Sequence, residues 1–262
     1  MPNETSSPPK NDWLTMVAVS ALACILQDVL HEGLGHGVTA WLSGAHQITM
    51  STVALQSDIE TRWVSANGTL VNLVTAGILW LLLLRPQRYR PVTLYFLVLA
   101  MAGNLFTGTG YFLFSGVANF GDWKEVIAGL RPQWAWRVGL IVLGAGSYYA
   151  SMLLVATKLR AFQGREPRKL RWVCWTPYFT DGVLAGLAAL FSPLGLFYMI
   201  ASALPSTLGA NSGLLGLPSM MCHVAHREDG VVIPRSIPWI VAGAIASVFF
   251  IVVLGHGITW SR

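Results

Sequence analysis

The stretch DVLHEGLGHG, residues 28–37, sets Asp28, His31, Glu32 and His36 within nine residues of each other in an otherwise apolar run. Neutral imidazoles bind divalent metals through a ring nitrogen, and a carboxylate beside such a metal can take a proton from water. Two histidines flanking a glutamate are therefore the vocabulary of a hydrolytic zinc site. The familiar form, H-E-x-x-H, places both histidines on one helix face. Here the spacing is H-E-x-x-x-H. At about 100° per residue, positions five apart diverge by roughly 140° on a regular α-helix, too far to grip one ion. A π-bulge brings such positions to one face, and Gly33 and Gly35, lacking Cβ, ease the distortion. The spacing thus predicts a π-bulge or a local break within residues 31–37.

The elements that must position these groups are membrane helices. The 262 residues are 54% hydrophobic and only 11% charged, with 11 tryptophans, and mean hydropathy is +0.55. Such a composition predicts an all-α polytopic membrane protein. Spans of about 20 apolar residues are expected at 13–43, 66–84, 92–114, 134–157, 178–204 and 237–260. They form a single integral membrane domain, 13–262, behind a disordered N-terminal segment, 1–12. The net charge of +5 comes from arginines and lysines gathered in loops 85–91 and 158–177. That pattern indicates membrane topology rather than nucleic-acid binding. With six spans, the positive-inside rule puts both loops and both termini in the cytoplasm, in what is read as a bacterial cytoplasmic membrane, and residues 44–65, 115–133 and 205–236 on the opposite face. Residues 46–56 alternate enough for a short strand or hairpin, with an irregular interfacial loop as the other reading. The Gly- and Pro-rich segment from 205 predicts a re-entrant or broken helix. Three scattered cysteines form no disulfide framework.

The motif VLHEGLGHGVTAWLSG resembles the first core helix of the site-2 protease family of intramembrane zinc metallopeptidases, stretched by one residue. A stretched form, HELLGH, also occurs in dipeptidyl peptidase III, a soluble zinc peptidase. ANGTLVNLVTAGI, residues 66–78, resembles the small-residue and asparagine stretch of the next span in that family, with Asn72 at the asparagine and Gly68-Thr69 in place of Gly-Pro. The resemblance covers residues 22–125. It implies Zn²⁺ held by His31, His36 and a later aspartate, for which Asp122 in SGVANFGDWKEV is the nearest candidate. It further implies Glu32 as general base and a membrane-embedded or membrane-proximal protein or peptide as substrate.

Other readings stay open on the residues alone. Asp122 can instead cap the helix that follows it. His223 and His226, with Cys222, can supply the third ligand or belong to a solvated loop. His46 reads as interfacial, and His256 reads as a packing residue on the face opposite the motif. Asp28 either orients a ligand histidine or pairs elsewhere in the bundle. Asn72 and Asn104 either bond substrate backbone or join helices. For the whole cluster, a proton- or ion-coupled transporter and a non-catalytic metal-binding scaffold are the alternatives to a peptidase.

Overall fold

Helix α1 (Trp13–Val29) starts where the Asp12 carboxylate accepts from the Thr15 N–H at 2.9 Å and the Thr15 hydroxyl at 2.7 Å, an N-cap that occupies one of the orphan donors of the first turn. The computed structural model describes residues 10–164, 167–192, 204–221 and 230–261. After α1 the chain unwinds into a π-helical stretch, Leu30–Gly37, and closes with α2 (Val38–Leu42). The expected distortion is thus not a single bulge but eight residues of π-helix covering the motif.

Next come β1 (Gln47–Met50) and β2 (Leu55–Ser57), then α3 (Arg62–Leu82), α4 (Pro91–Ala118), the short α5 (Asp122–Val126), α6 (Gln133–Leu159) and α7 (Pro167–Ala189). Two short helices, α8 (Leu204–Ala210) and α9 (Gly213–Met221), realise the broken-helix expectation. Helix α10 (Ile237–Phe249) continues as a π-helical turn, Phe250–Leu254, and β3 (Ile258–Ser261) ends the described chain. The protein is an all-α polytopic protein carrying one small sheet. Among the described residues, five helical runs are long and apolar enough to cross a bilayer: Trp13–Leu42, Arg62–Leu82, Pro91–Ala118, Gln133–Phe162 and Ile237–Leu254.

Helix α4 is the axis of the bundle, with 72% of its span buried against 17% for α10. Tyr95, Val98, Met101 and Phe106 on α4 are fully buried among α1, α3, α6 and α7. Large side chains on the outer helices face outward instead: Val142 on α6 is 67% exposed and Ile245 on α10 is 66% exposed. In water such faces would drive aggregation, whereas lipid solvates them. Pro177 inside α7 cannot donate to the Val173 carbonyl, and the Tyr95 hydroxyl donates to it at 2.8 Å.

The C-terminal third departs from the expected topology. Strands pair in the order β2-β1-β3, all antiparallel, with Gln47 opposite Ser261 and Met50 opposite Ile258. Residues expected as the end of the last span are therefore a third strand. At the other end of the bundle the Asp12 N–H donates to the Ile233 carbonyl at 2.8 Å, and the Val231 N–H to the Ala161 carbonyl at 2.8 Å. Residues 230–236 thus lie beside the start of α1, not on the motif's face, and α10 runs parallel to α1. The described ends, Lys10 and Ser261, fall at opposite ends of the bundle, which corrects the placement of both termini on one side. The cause is the segment from α7 to α9. Helix α7 and the turn after it reach the sheet end, where Ala188 lies beside Gly255 and Phe191 packs on His256, and α8 and α9 bring the chain back to the Asp12 end, where Gln163 donates to the Met221 carbonyl at 3.1 Å. Of the expected span 178–204, residues 193–203 lie outside the described residues.

Helices α4 and α6 pack closely enough that a Cβ on Gly144 would stand 2.8 Å from the Leu113 Cα. Gly144→Val should therefore lower thermal stability by about 2 kcal/mol or more, in the range of overpacked cores. Gly139→Ala, on the same helix with open space around it, should change stability by no more than about 1 kcal/mol. Melting of the two variants in detergent measures the contrast.

Candidate metal centre

Three helices and one short turn build the site. The π-helical stretch carries His31, Glu32 and His36, all buried. Its looser winding brings the imidazoles of residues five apart together, with Nε2 to Nε2 at 3.2 Å and the rings edge to face.

Each ring is locked by its other nitrogen. His36 Nδ1 lies 2.6 Å from the Val64 carbonyl, which can only accept, so Nδ1 carries the proton. His31 Nδ1 lies 2.6 Å from Asn72 Oδ1. The Asn72 amide is itself fixed, because its NH₂ donates to the Gln27 carbonyl at 3.2 Å and to Asn104 Oδ1 at 2.7 Å, while Asn104 donates to the Ala100 carbonyl at 2.8 Å. Asn72 Oδ1 must accept, and His31 Nδ1 must donate. Both Nε2 atoms therefore present lone pairs to the same point.

The third group at that point is Asp122. Gly121, at φ +80°, makes the left-handed turn that delivers it. Helix α5 is then clamped over the motif: the Trp123 indole donates to Thr69 Oγ1 at 3.1 Å and packs against Phe112, and Arg62 donates to the Ala128 carbonyl at 2.7 Å. Asp122 Oδ2 stands 3.1 Å from His31 Nε2 and 3.4 Å from His36 Nε2.

Three lone-pair donors facing one another with no hydrogen between them repel unless a positive charge joins them. Donors bound at ~2.0–2.1 Å around a tetrahedral zinc stand roughly 3.3–3.4 Å apart, close to the 3.1, 3.2 and 3.4 Å separations here. Two imidazoles and a carboxylate are also ordinary zinc ligands. The residues fit the ion.

Space for it depends on Gly68. A Cβ there would stand 2.7 Å from His31 Nε2 and closer still to His36 Nε2. Gly35, opposite, lets α3 approach until a Cβ on it would stand 2.8 Å from the Gly68 nitrogen. Beside the three donors, a cavity of about 310 Å³ is lined by Glu32, His36, Leu55, Ser57, Tyr111 and Asp122, among others. The Leu55 backbone lies near the Glu32 carboxylate, whose Oε2 is buried without a hydrogen-bond partner.

The structure thus brings together His31, Glu32, His36 and Asp122. Among the described residues these imidazoles and Asp122 are the one group of His, Cys, Asp and Glu side chains so gathered. His223 and His226 lie outside the described residues. The residues flanking them, Met221 and Gly230, sit beside Gln163 and Gly164 at the far end of the bundle. His46 is exposed, its N–H held by Asp58. His256, expected on the opposite face, lies at the sheet end, where it bonds the Val252 carbonyl at 2.7 Å and packs on Phe191. Asp28 does not orient His31; Asn72 does. The roles of Gly68 and of the Thr69–Trp123 clamp went unread in the sequence, since each is defined only by its partner on another helix.

Removing a group that holds a ligand imidazole typically costs 10–100-fold in metal affinity. Asn72→Ala should weaken zinc binding by about that factor, and Gly68→Ala should abolish it by filling the space between the rings. Competition with a chelator of known affinity measures both; unchanged affinity in Asn72→Ala would show that His31 needs no such anchor. Compared with family models, with curated proteins and with solved structures, the chain matches none.

Proposed function

We propose that the protein is an intramembrane zinc metalloprotease that hydrolyses peptide bonds of membrane-embedded or membrane-proximal substrates. The observation that carries this reading is the convergence of His31 Nε2, His36 Nε2 and Asp122 Oδ2 beside a free Glu32 oxygen in one cavity.

Zinc at that point would supply Lewis-acid polarisation of the scissile carbonyl and of a water molecule. Glu32 takes a proton from the attacking water through Oε2 and returns it to the leaving amine nitrogen, so the proton count closes. His31 and His36 stay fixed in one tautomer through Asn72 and Val64.

The sheet supports a peptide rather than a small molecule as substrate. Of the two outer strands, β2 and β3, it is β2 whose residues Leu55 and Ser57 line the cavity. A peptide added there as a further strand is extended, with its backbone alongside Glu32. Arg85, Arg88 and Arg90 lie in the loop after α3, and Lys158 at the end of α6 donates to the Leu83 carbonyl. These groups gather at the Asp12 end, which the positive-inside rule assigns to the cytoplasm. The sheet, Asp122 and β3 then belong to the opposite face of a cytoplasmic membrane.

Wild-type protein in detergent should carry about one zinc per chain, by the three-ligand site. His31→Ala and His36→Ala should lose the metal. Glu32→Gln should keep it and lose hydrolysis of a transmembrane reporter peptide by about 10²-fold or more, the usual size of a general-base effect. A zinc-free wild type that conducts protons in proteoliposomes would instead favour the transporter.

A further inference from the structure

A second polar cluster lies in the bundle one to two turns before the metal motif, and peptide hydrolysis makes no use of it. Asp28 follows Cys24 by one turn on α1, and Asp181 follows Pro177 by one turn on α7. Asn211, between α8 and α9, donates its amide to Asp181 Oδ2 at 2.5 Å. The Cys24 thiol lies near the Asp181 carboxylate, and Asp28 lies within electrostatic reach of both Asp181 and Glu32.

Beside Asn211 is a cavity of about 10 Å³, lined by Cys24, Gln27, Gly103, Pro177 and Asn211, among others, each of the two aspartates lying one turn beyond a lining residue, Cys24 or Pro177. That is room for one water-sized particle. Two amides face it. Because Asn211 gives its NH₂ to Asp181, its carbonyl turns the other way, and Asn211 Oδ1 is buried with no hydrogen-bond partner. Gln27 Oε1 is likewise buried and without a partner, pressed against Gly103, where a Cβ would displace it. The residues themselves are 2% and 8% exposed.

Asp28 Oδ2 is a third buried oxygen without a partner. All three unmet groups are acceptors, and among the described residues no lysine, arginine or histidine is bonded to Asp28 or Asp181. Isolated anions inside a bilayer are costly. One proton satisfies one acceptor, whereas a small cation satisfies several oxygens at once and offsets a carboxylate charge.

We propose that Gln27, Asn211 and the Asp28–Asp181 pair form an intramembrane site for a monovalent cation of sodium's size. The cation ties α1, α7 and the α8–α9 break together next to the metal motif. It is independent of the peptidase reading, since neither amide nor either aspartate belongs to the His31–His36–Asp122 group.

The test is thermal melting of the full chain in detergent at constant pH and ionic strength, with sodium chloride replacing choline chloride. Wild-type Tm should rise saturably with sodium, by roughly 3 °C or more at saturation, as linkage requires for a ligand of the folded state. Gln27→Met and Asn211→Leu should lose the sodium increment while keeping the wild-type zinc-to-protein ratio. Gly139→Ala, remote from the cluster, should retain it. Gln27→Met conserves volume and carries the test alone if Asn211→Leu does not fold. Equal melting of wild type in sodium and choline overturns the proposal and leaves a buried water as the occupant. A sodium increment undiminished in Gln27→Met also overturns it.

Discussion

Two imidazoles five residues apart can meet at one point only where the helix between them is wound more loosely than an α-helix, and the architecture around the motif follows from that constraint. The π-helical stretch Leu30–Gly37 closes hydrogen bonds one residue farther along the chain. Such winding widens the helix and weakens its internal packing, so neighbours must hold it. Helix α3 does so through Gly35 and Gly68, which bring the two backbones into contact. The sheet does so from the other side, with Met50 against Gly33 and Leu55 against Gly37. Glycine at every second position from 33 to 37 is therefore a packing requirement as well as a conformational one.

The bilayer sets the second constraint, since no bulk water is present to satisfy a stray polar atom. The chain answers with relays. Ala100, Asn104, Asn72 and His31 form one continuous line of hydrogen bonds from α4 through α3 to the motif. Each link has a definite donor and acceptor, so the line transmits orientation: the helix carbonyl at Ala100 decides which nitrogen of His31 bears its proton. Among the described residues, the buried oxygens left outside such relays are four hydroxyls, on Thr52, Thr107, Ser115 and Thr176, and four carboxylate or amide oxygens, on Gln27, Asp28, Glu32 and Asn211. The second four are the costlier to leave unmet in this medium, and they gather on the first span or facing it.

The helical class, the chemistry of the HEGLGH motif and the need to distort it were legible because each depends on local sequence: apolar run length, residue type and spacing. Asp122 was legible only as a residue of the right kind on the right side. What fixes it is the Trp123–Thr69 bond and the turn at Gly121, and nothing in SGVANFGDWKEV names Thr69 as partner. The topology after residue 177 was not legible. Hydropathy counts apolar runs, and a segment that enters and returns reads much like one that crosses. The third strand was hidden for a related reason. Ile258-Thr259-Trp260 is separated from an apolar helix by only Gly255-His256-Gly257, and its partner β1 lies about two hundred residues earlier.

That long-range strand pairing joins the last element of the chain to the first core helix, and it closes the site. With β3 on β1, the sheet is anchored by α10, which runs alongside α1 and meets it where a Cβ on Gly243 would stand 2.7 Å from the Ala18 carbonyl. The hairpin at the motif thus cannot swing away without breaking a helix interface that extends along the span. On the opposite flank Asp122 rides on a five-residue helix held by Trp123, by Arg62 and by Ile127, which is buried against Phe112 and Leu140. The ligand set is therefore asymmetric: two imidazoles held by a rigid core and one carboxylate on a small lever. A cation held by all three groups would tie the two flanks together, so that part of its binding free energy would appear as stability of α5.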